Sequence, residues 1–206
     1  MAKARKYHHG DVRETATRAA LEMIEQDGVD ALTMRALAKA VGVDHRALYR
    51  HYPDRDAVLA AVAGEGYRQL LSIQLSGCVD SSSPLQTAFE VYVHFALDRP
   101  HLHALMLTRS RQEMDAHAAL GEAVKAELDQ LMVWARLALG VERGERETDA
   151  RDLAFAALGA AYGLCSLASS ASLAPRSAED LRQFVSDQVA GVLEGQLLRL
   201  TPNSHR

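Results

Sequence analysis

Apolar residues recur along this chain at spacings of three and four, and nowhere alternate with polar ones for long enough to make a convincing strand. Val12, Ala16, Ala19, Ala20, Met23 and Ile24 share one face of a first helix. The sequence starts that helix at Asp11, whose carboxylate can cap the opening turn with Glu14 three residues on, and ends it at Gly28. A short second helix follows Thr33, with Met34, Leu37, Ala38 and Val41 facing inward, and breaks at Gly42. Asp44 can cap a third, running to about His51 before Pro53 stops it, and Pro53-Asp54 opens a long fourth carrying Leu59, Val62, Gly66, Leu70 and Ile73. Beyond the loop CVDSSSP, helices are predicted over 84–98, 100–109, 112–139, 147–172 and 177–199. Turns at Pro100, Arg109-Ser110, Gly140 to Glu145 and Pro175 separate them. The pattern predicts an all-α chain of about nine helices. No repeat at a fixed period points to a helical solenoid.

Composition narrows the function classes. The net charge of −4 argues against general affinity for nucleic acid, but the sum hides a division. Residues 1–55 carry ten Lys and Arg against eight Asp and Glu, whereas residues 56–206 carry thirteen against nineteen. Cys78 and Cys165 fit no metal or redox spacing and are read as small apolar residues in a reducing compartment. No continuous apolar run reaches the length of a membrane span, and MAKARKYHHGD has no apolar segment after its basic residues, so a cytoplasmic protein away from membranes is expected.

The informative segment is LTMRALAKAVGVDHRALYRHYPDRDAV, residues 32–58. Two short helices joined by Val41-Gly42-Val43 form a helix-turn-helix, whose second helix is the one that enters a DNA major groove. Leu48 and Tyr52 point back into the core, so the exposed face presents His45, Arg46, Tyr49, Arg50 and His51. That face is basic and aromatic, with no acid after the Asp44 cap.

This arrangement resembles the TetR family of bacterial transcriptional regulators. The residues that carry the likeness are Leu32-Thr33-Met34-Arg35-Ala36-Leu37-Ala38, Gly42-Val43, Leu48-Tyr49-Arg50-His51 and Tyr52-Pro53-Asp54-Arg55. The opening YHHGDVR also looks like a subgroup with Tyr-His-His-Gly-Asp-Leu-Arg at that place, although Leu158, Tyr162 and Gly163 depart from that subgroup's later Trp-x-x-x-His-Gly signature.

The resemblance implies a helix-turn-helix domain with an N-terminal arm over 1–55 and a helical ligand-binding and dimerisation domain over 56–206. It further implies a homodimer formed through 147–172 and 177–199, a palindromic DNA operator, and repression relieved by a small-molecule effector. Tyr49 and His51 then touch phosphates, Thr33 and Arg35 bring the preceding helix to the backbone, and Arg55 reaches another phosphate from the fourth helix. His45, Arg46 and Arg50 sit where base edges are read, Arg46 being the best placed to bridge guanine O6 and N7. Lys6, with Lys3, Arg5, Tyr7, His8 and His9, forms an arm that can follow the phosphates or the minor groove.

Tyr92, Phe95, Met106, Met114, Trp134 and Tyr162 are candidates to line a mainly apolar effector pocket, although such residues on a helix stripe are more often plain core. Nine histidines raise the possibility of a metal-dependent enzyme. Against it, the chain has no His-Glu-x-x-His and no Gly-x-Ser-x-Gly, and His101 and His103 read as surface residues of a first helical turn. Adjacent His8 and His9 cannot easily chelate one ion, so no catalytic residue, metal or cofactor is expected.

Overall fold

The computed structural model describes residues 9–170, 173 and 177–201. Among them are ten α-helices: α1 His9–Asp27, α2 Met34–Val41, α3 His45–Tyr49, α4 Arg55–Cys78, α5 Pro84–Asp98, α6 Pro100–Leu107, α7 Arg111–Ala116, α8 Ala118–Leu139, α9 Glu147–Ser169 and α10 Ala178–Leu200. A 3₁₀ turn over Val29–Ala31 follows α1, and no strand occurs among the described residues. Helix α1 begins at His9, two residues before the predicted cap at Asp11.

Local chemistry sets most of the other boundaries. Thr33 caps α2, its hydroxyl oxygen accepting from the Ala36 N–H at 3.1 Å, and Asp44 caps α3 by accepting from the Arg46 N–H at 2.8 Å. Asp54 does the same for α4, accepting from the Ala57 N–H at 2.8 Å. Gly42 closes α2 at φ 73°, a left-handed conformation costly for a residue with a Cβ.

The predicted helix over 112–139 is instead two helices, α7 and α8, broken at His117 (φ −121°, ψ 84°). A reciprocal capping box holds α7: the Ser110 Oγ accepts from the Glu113 N–H, and the Ser110 N–H donates to the Glu113 carboxylate at 2.6 Å. The corner is tight enough that a Cβ on Gly121 would lie 2.9 Å from the Met114 carbonyl oxygen. No proline or loop composition marks this break, so hydrophobic spacing runs straight through it.

By packing, the chain divides into two compact units, one of residues up to Tyr67 with His101–Ala123, the other of Arg68–Pro100 with Val124 onward. In the first, α1 packs on α2, and α2 on α3, around Ala16, Ala20, Ile24, Leu37 and Leu48, all essentially inaccessible to solvent. Tyr52 is buried beside them, its hydroxyl 2.6 Å from the Thr17 hydroxyl. The same unit takes in α6 and α7: the Arg109 guanidinium pairs with Asp56 at 2.9 Å and Glu113 at 2.8 Å, and the Tyr67 hydroxyl donates to the Met106 carbonyl at 3.3 Å.

In the second unit α5, α9 and α10 pack on one another, with Val93, Ala154, Ala157, Ala161 and Val185 at the centre. The Arg182 guanidinium clamps α10 to Asp98 of α5 at 2.5 Å. Helix α9 is long and apolar enough to cross a bilayer by length and composition, which corrects the expectation that no segment qualifies. Its inward face, Leu153, Ala157, Leu158 and Ala161, is buried, in keeping with the packing of α9 on α5 and α10. Both cysteines are buried and unbridged, and burial pushes the Cys165 thiol up to about 12.

Candidate nucleic-acid interface

Helix α3 is only five residues long, so what it presents depends on how it is seated. Leu48 anchors it in the core, and Tyr52 follows one turn later with its hydroxyl donating to the Arg13 carbonyl at 3.2 Å. With that side fixed inward, His45, Arg46, Tyr49 and Arg50 are exposed, and His51 is half-buried. The His45 and Tyr49 rings, one turn apart, meet edge to face with centroids 4.8 Å apart, which leaves Tyr49 43% exposed yet ordered by its neighbour.

From α2, Thr33 and Arg35 are exposed too, and Lys39, unremarked in the sequence, shares the Arg35 face by its spacing of four. Thr33 spends an oxygen lone pair as the α2 cap and keeps its hydroxyl hydrogen for another acceptor.

The electrostatics of this face differ from those elsewhere in the chain. Arg109, Arg111, Arg136, Arg146, Arg182 and Arg199 each pair with a carboxylate. Among the described residues, Arg35, Lys39, Arg46 and Arg50 meet none: Asp44 and Asp54, the acids nearest in sequence, serve as caps for backbone N–H groups. Four cations are thus carried without internal compensation on two adjoining short helices.

Arg55 behaves differently. Its Nε donates to the Leu32 carbonyl at 2.7 Å and its Nη2 to the Val29 carbonyl at 2.6 Å, so its fork ties the start of α4 to the loop that delivers α2. Only Nη1 remains for an outward contact. Lys6 and the rest of the basic arm lie outside the described residues.

The candidate pocket residues are dispersed through the structure. Tyr92 and Tyr162 stack on each other at 5.4 Å, Trp134 is buried, and Phe95 lines a cleft between α4, α5 and α10. Met106 and Met114 belong to the other unit, Met106 buried against Gly66 and Met114 half-buried at the α7–α8 corner. His101 is exposed, but His103, read from the sequence as a surface residue, is buried, and desolvation lowers its imidazole to about 4, leaving it neutral. Short α6 buries His103 together with Leu102, Leu105 and Met106. Among the described residues no group of three His, Cys, Asp or Glu could hold a metal ion.

The sequence pattern of bacterial regulatory proteins of the tetR family matches residues 16–62, and that of the tetracyclin repressor-like C-terminal domain matches residues 85–192, more than half of the chain. The chain belongs to the TetR family of bacterial transcriptional regulators. Over 49 residues it is 47% identical to the class A tetracycline repressor protein of transposon 1721 in Escherichia coli, a match that covers 24% of this chain and 23% of that one. The chain therefore spans about a quarter of the length of the curated relatives it matches. A Rhodococcus sp. RHA1 structure, described as that of a protein of unknown function, superposes with a TM-score of 0.67 at 29% identity, covering 90% of this chain and 96% of that one. A TetR variant from Acinetobacter baumannii AYE in complex with minocycline gives 0.63 at 18%, covering 95% and 100%, a likeness of fold. As a TetR-family member the protein is a DNA-binding regulator and not an enzyme. The unpaired cations of α2 and α3 lie within the matched helix-turn-helix.

Proposed function

We propose that this TetR-family protein is a cytoplasmic, ligand-responsive repressor that binds a palindromic operator as a homodimer. One observation carries the DNA half of this reading: Arg35, Lys39, Arg46 and Arg50 stand exposed and unpaired around an anchored α3. Phosphates neutralise such charges and release counterions, which makes binding fall steeply with salt. Thr33, Arg35, Tyr49 and His51 position the protein on the phosphates, and His45, Arg46 and Arg50 read base edges. The residues of 1–55 are the DNA-binding part in this reading, and those of 56–206 carry effector binding and dimerisation.

The dimer reading rests on the outer faces of α9 and α10. Phe155 is 50% exposed and Leu198 80%, and Gly159, Gly163, Gly191 and Gly195 face open space, with nothing within 4 Å of where a Cβ would stand. Glycines four apart on two packed helices leave shallow lanes flanked by apolar residues, a surface that a second copy can fill closely. Two-fold pairing then requires an operator of inverted half-sites.

Selection of bound sequences from random DNA by the full chain tests the proposal. The expected product is an inverted repeat, and Arg46→Ala should relax base preference within each half-site at a cost of roughly 1–3 kcal/mol. Recovery of no enriched sequence, or an enriched sequence without two-fold symmetry, would overturn it.

A further inference from the structure

The cleft between α4, α5 and α10 has a volume of about 1000 Å³, at the upper end of the range of small-molecule sites. Its walls carry Glu90 and Asp98 from α5 and Glu179 and Asp187 from α10. These four carboxylates are not equivalent. Asp98 is neutralised by Arg182 at 2.5 Å, and the same guanidinium reaches Glu179 at 3.4 Å. Glu90 and Asp187 are instead held by neutral amides, Glu90 accepting from Gln86 Nε2 at 3.0 Å and Asp187 from Gln183 Nε2 at 2.8 Å. Among the described residues neither meets a Lys or Arg. Two oriented acids thus face the cleft with their charge uncompensated.

The rest of the lining is suited to an apolar body. Ile73 is 49% exposed, and Val91, Phe95 and Ala190 are also part of the wall. The cleft already holds one organic cation of its own: the Arg99 guanidinium lies over the Phe95 ring, 5.2 Å from its centroid, and donates to Gln69 Oε1 at 2.6 Å. An aromatic face and an amide oxygen are the surroundings that a delocalised cation prefers. A bare metal ion is a poor fit, because no group of three ligating side chains converges among the described residues. An anion would meet Glu90 and Asp187.

We propose that the cleft between α4, α5 and α10 binds a small organic cation with an apolar body, its charge set against Glu90 and Asp187 and its body against Ile73, Val91 and Phe95. As the identity of an effector this rests on the ligand-responsive reading above; as a binding site it does not. Neither Glu90 nor Asp187 carries an ion pair of the fold, so both can be neutralised without removing a cation's partner.

Tetraphenylphosphonium and tetraphenylborate share a shape and differ in sign, and calorimetric titration of the full chain with each tests the inference in the absence of DNA. The expected result is one tetraphenylphosphonium bound per chain and no tetraphenylborate. Glu90→Gln or Asp187→Asn should each weaken binding about fivefold, the upper scale for a partly exposed ion pair, and both together about twentyfold. The thermal midpoint and the affinity for DNA of the double variant should stay as in the parent chain. Equal binding of the two ions, absence of phosphonium binding, or phosphonium affinity unchanged in the double variant overturns the site. Phosphonium binding that follows the two carboxylates but leaves DNA affinity untouched upholds the site and overturns its role as the effector site.

Discussion

Arg55 separates two physical roles that the sequence alone assigns alike. A phosphate contact and an internal clamp both ask for a guanidinium at the start of α4, but they predict different losses. Arg55 makes two short hydrogen bonds, to the Leu32 carbonyl at 2.7 Å and the Val29 carbonyl at 2.6 Å, and its side chain is half-buried. A hydrogen bond involving a charged group contributes about 1.5–3 kcal/mol, and partial exposure lowers that figure. Arg55→Ala should therefore destabilise the chain by about 2–3 kcal/mol, since it leaves two carbonyls without their partner. For a chain of this size each kcal/mol moves the midpoint by about 2–4 °C, giving a fall of about 4–12 °C.

Arg55→Lys is the decisive companion. It keeps the charge but replaces a fork with a single ammonium that cannot span both carbonyls in the same way, so about half of the stability loss should remain. Thermal unfolding should be read beside the salt dependence of operator binding for both variants. The clamp predicts lowered stability in both and little change in the salt slope. Stability within about 0.5 kcal/mol of the parent, with a slope reduced by about one, would refute it and make Arg55 a phosphate contact.

Burial sets two opposed pH dependences. Glu127 is 3% exposed, one carboxylate oxygen has no hydrogen-bond partner, and desolvation raises its carboxyl from the ordinary 4.5 to about 7. The folded chain therefore takes up this proton first: the contribution is complete below about pH 4.5 and is lost as pH rises through about 7. Glu127→Gln should add about 3 kcal/mol at pH 8 and almost nothing at pH 4, as urea denaturation at the two values would show. His103, lowered from 6.5 to about 4, acts the other way, its contribution being present above 6.5 and lost as pH falls through about 4. With Glu127 replaced, stability should therefore rise with pH between about 4 and 6.5, and a flat profile there would count against a neutral buried His103. Gly121→Ala should cost about 1–3 kcal/mol, because its Cβ would lie 2.9 Å from the Met114 carbonyl; unchanged stability would mean the α7–α8 corner is looser than it looks. Gly163→Leu, whose side chain points to open space, should leave the fold of one chain intact but shift the protein from dimer to monomer in light scattering; an unshifted dimer would place the interface elsewhere.

What the sequence determined by itself was local. Thr33, Asp44, Gly42 and the apolar spacing of α1 to α5 act within a turn or two of where they stand, so caps, breaks and inward faces could be read from neighbours alone. The exposed cationic face of α3 was legible for the same reason: once Leu48 is inward, helical geometry places Arg46 and Arg50 outward. The family likeness is also densest here, in the helix-turn-helix match over residues 16–62.

Only the tertiary structure decided which way Arg55 turns, since its acceptors lie 23 and 26 residues away. It likewise decided that His103 and Glu127 are buried and that a helix predicted as continuous bends at His117. It also parted Met106 and Met114 from Tyr92, Phe95, Trp134 and Tyr162, and turned carboxylates of α5 and α10 toward a common cleft. Each of these depends on desolvation or contact imposed by segments remote in the chain, and a residue's own neighbours carry no trace of that.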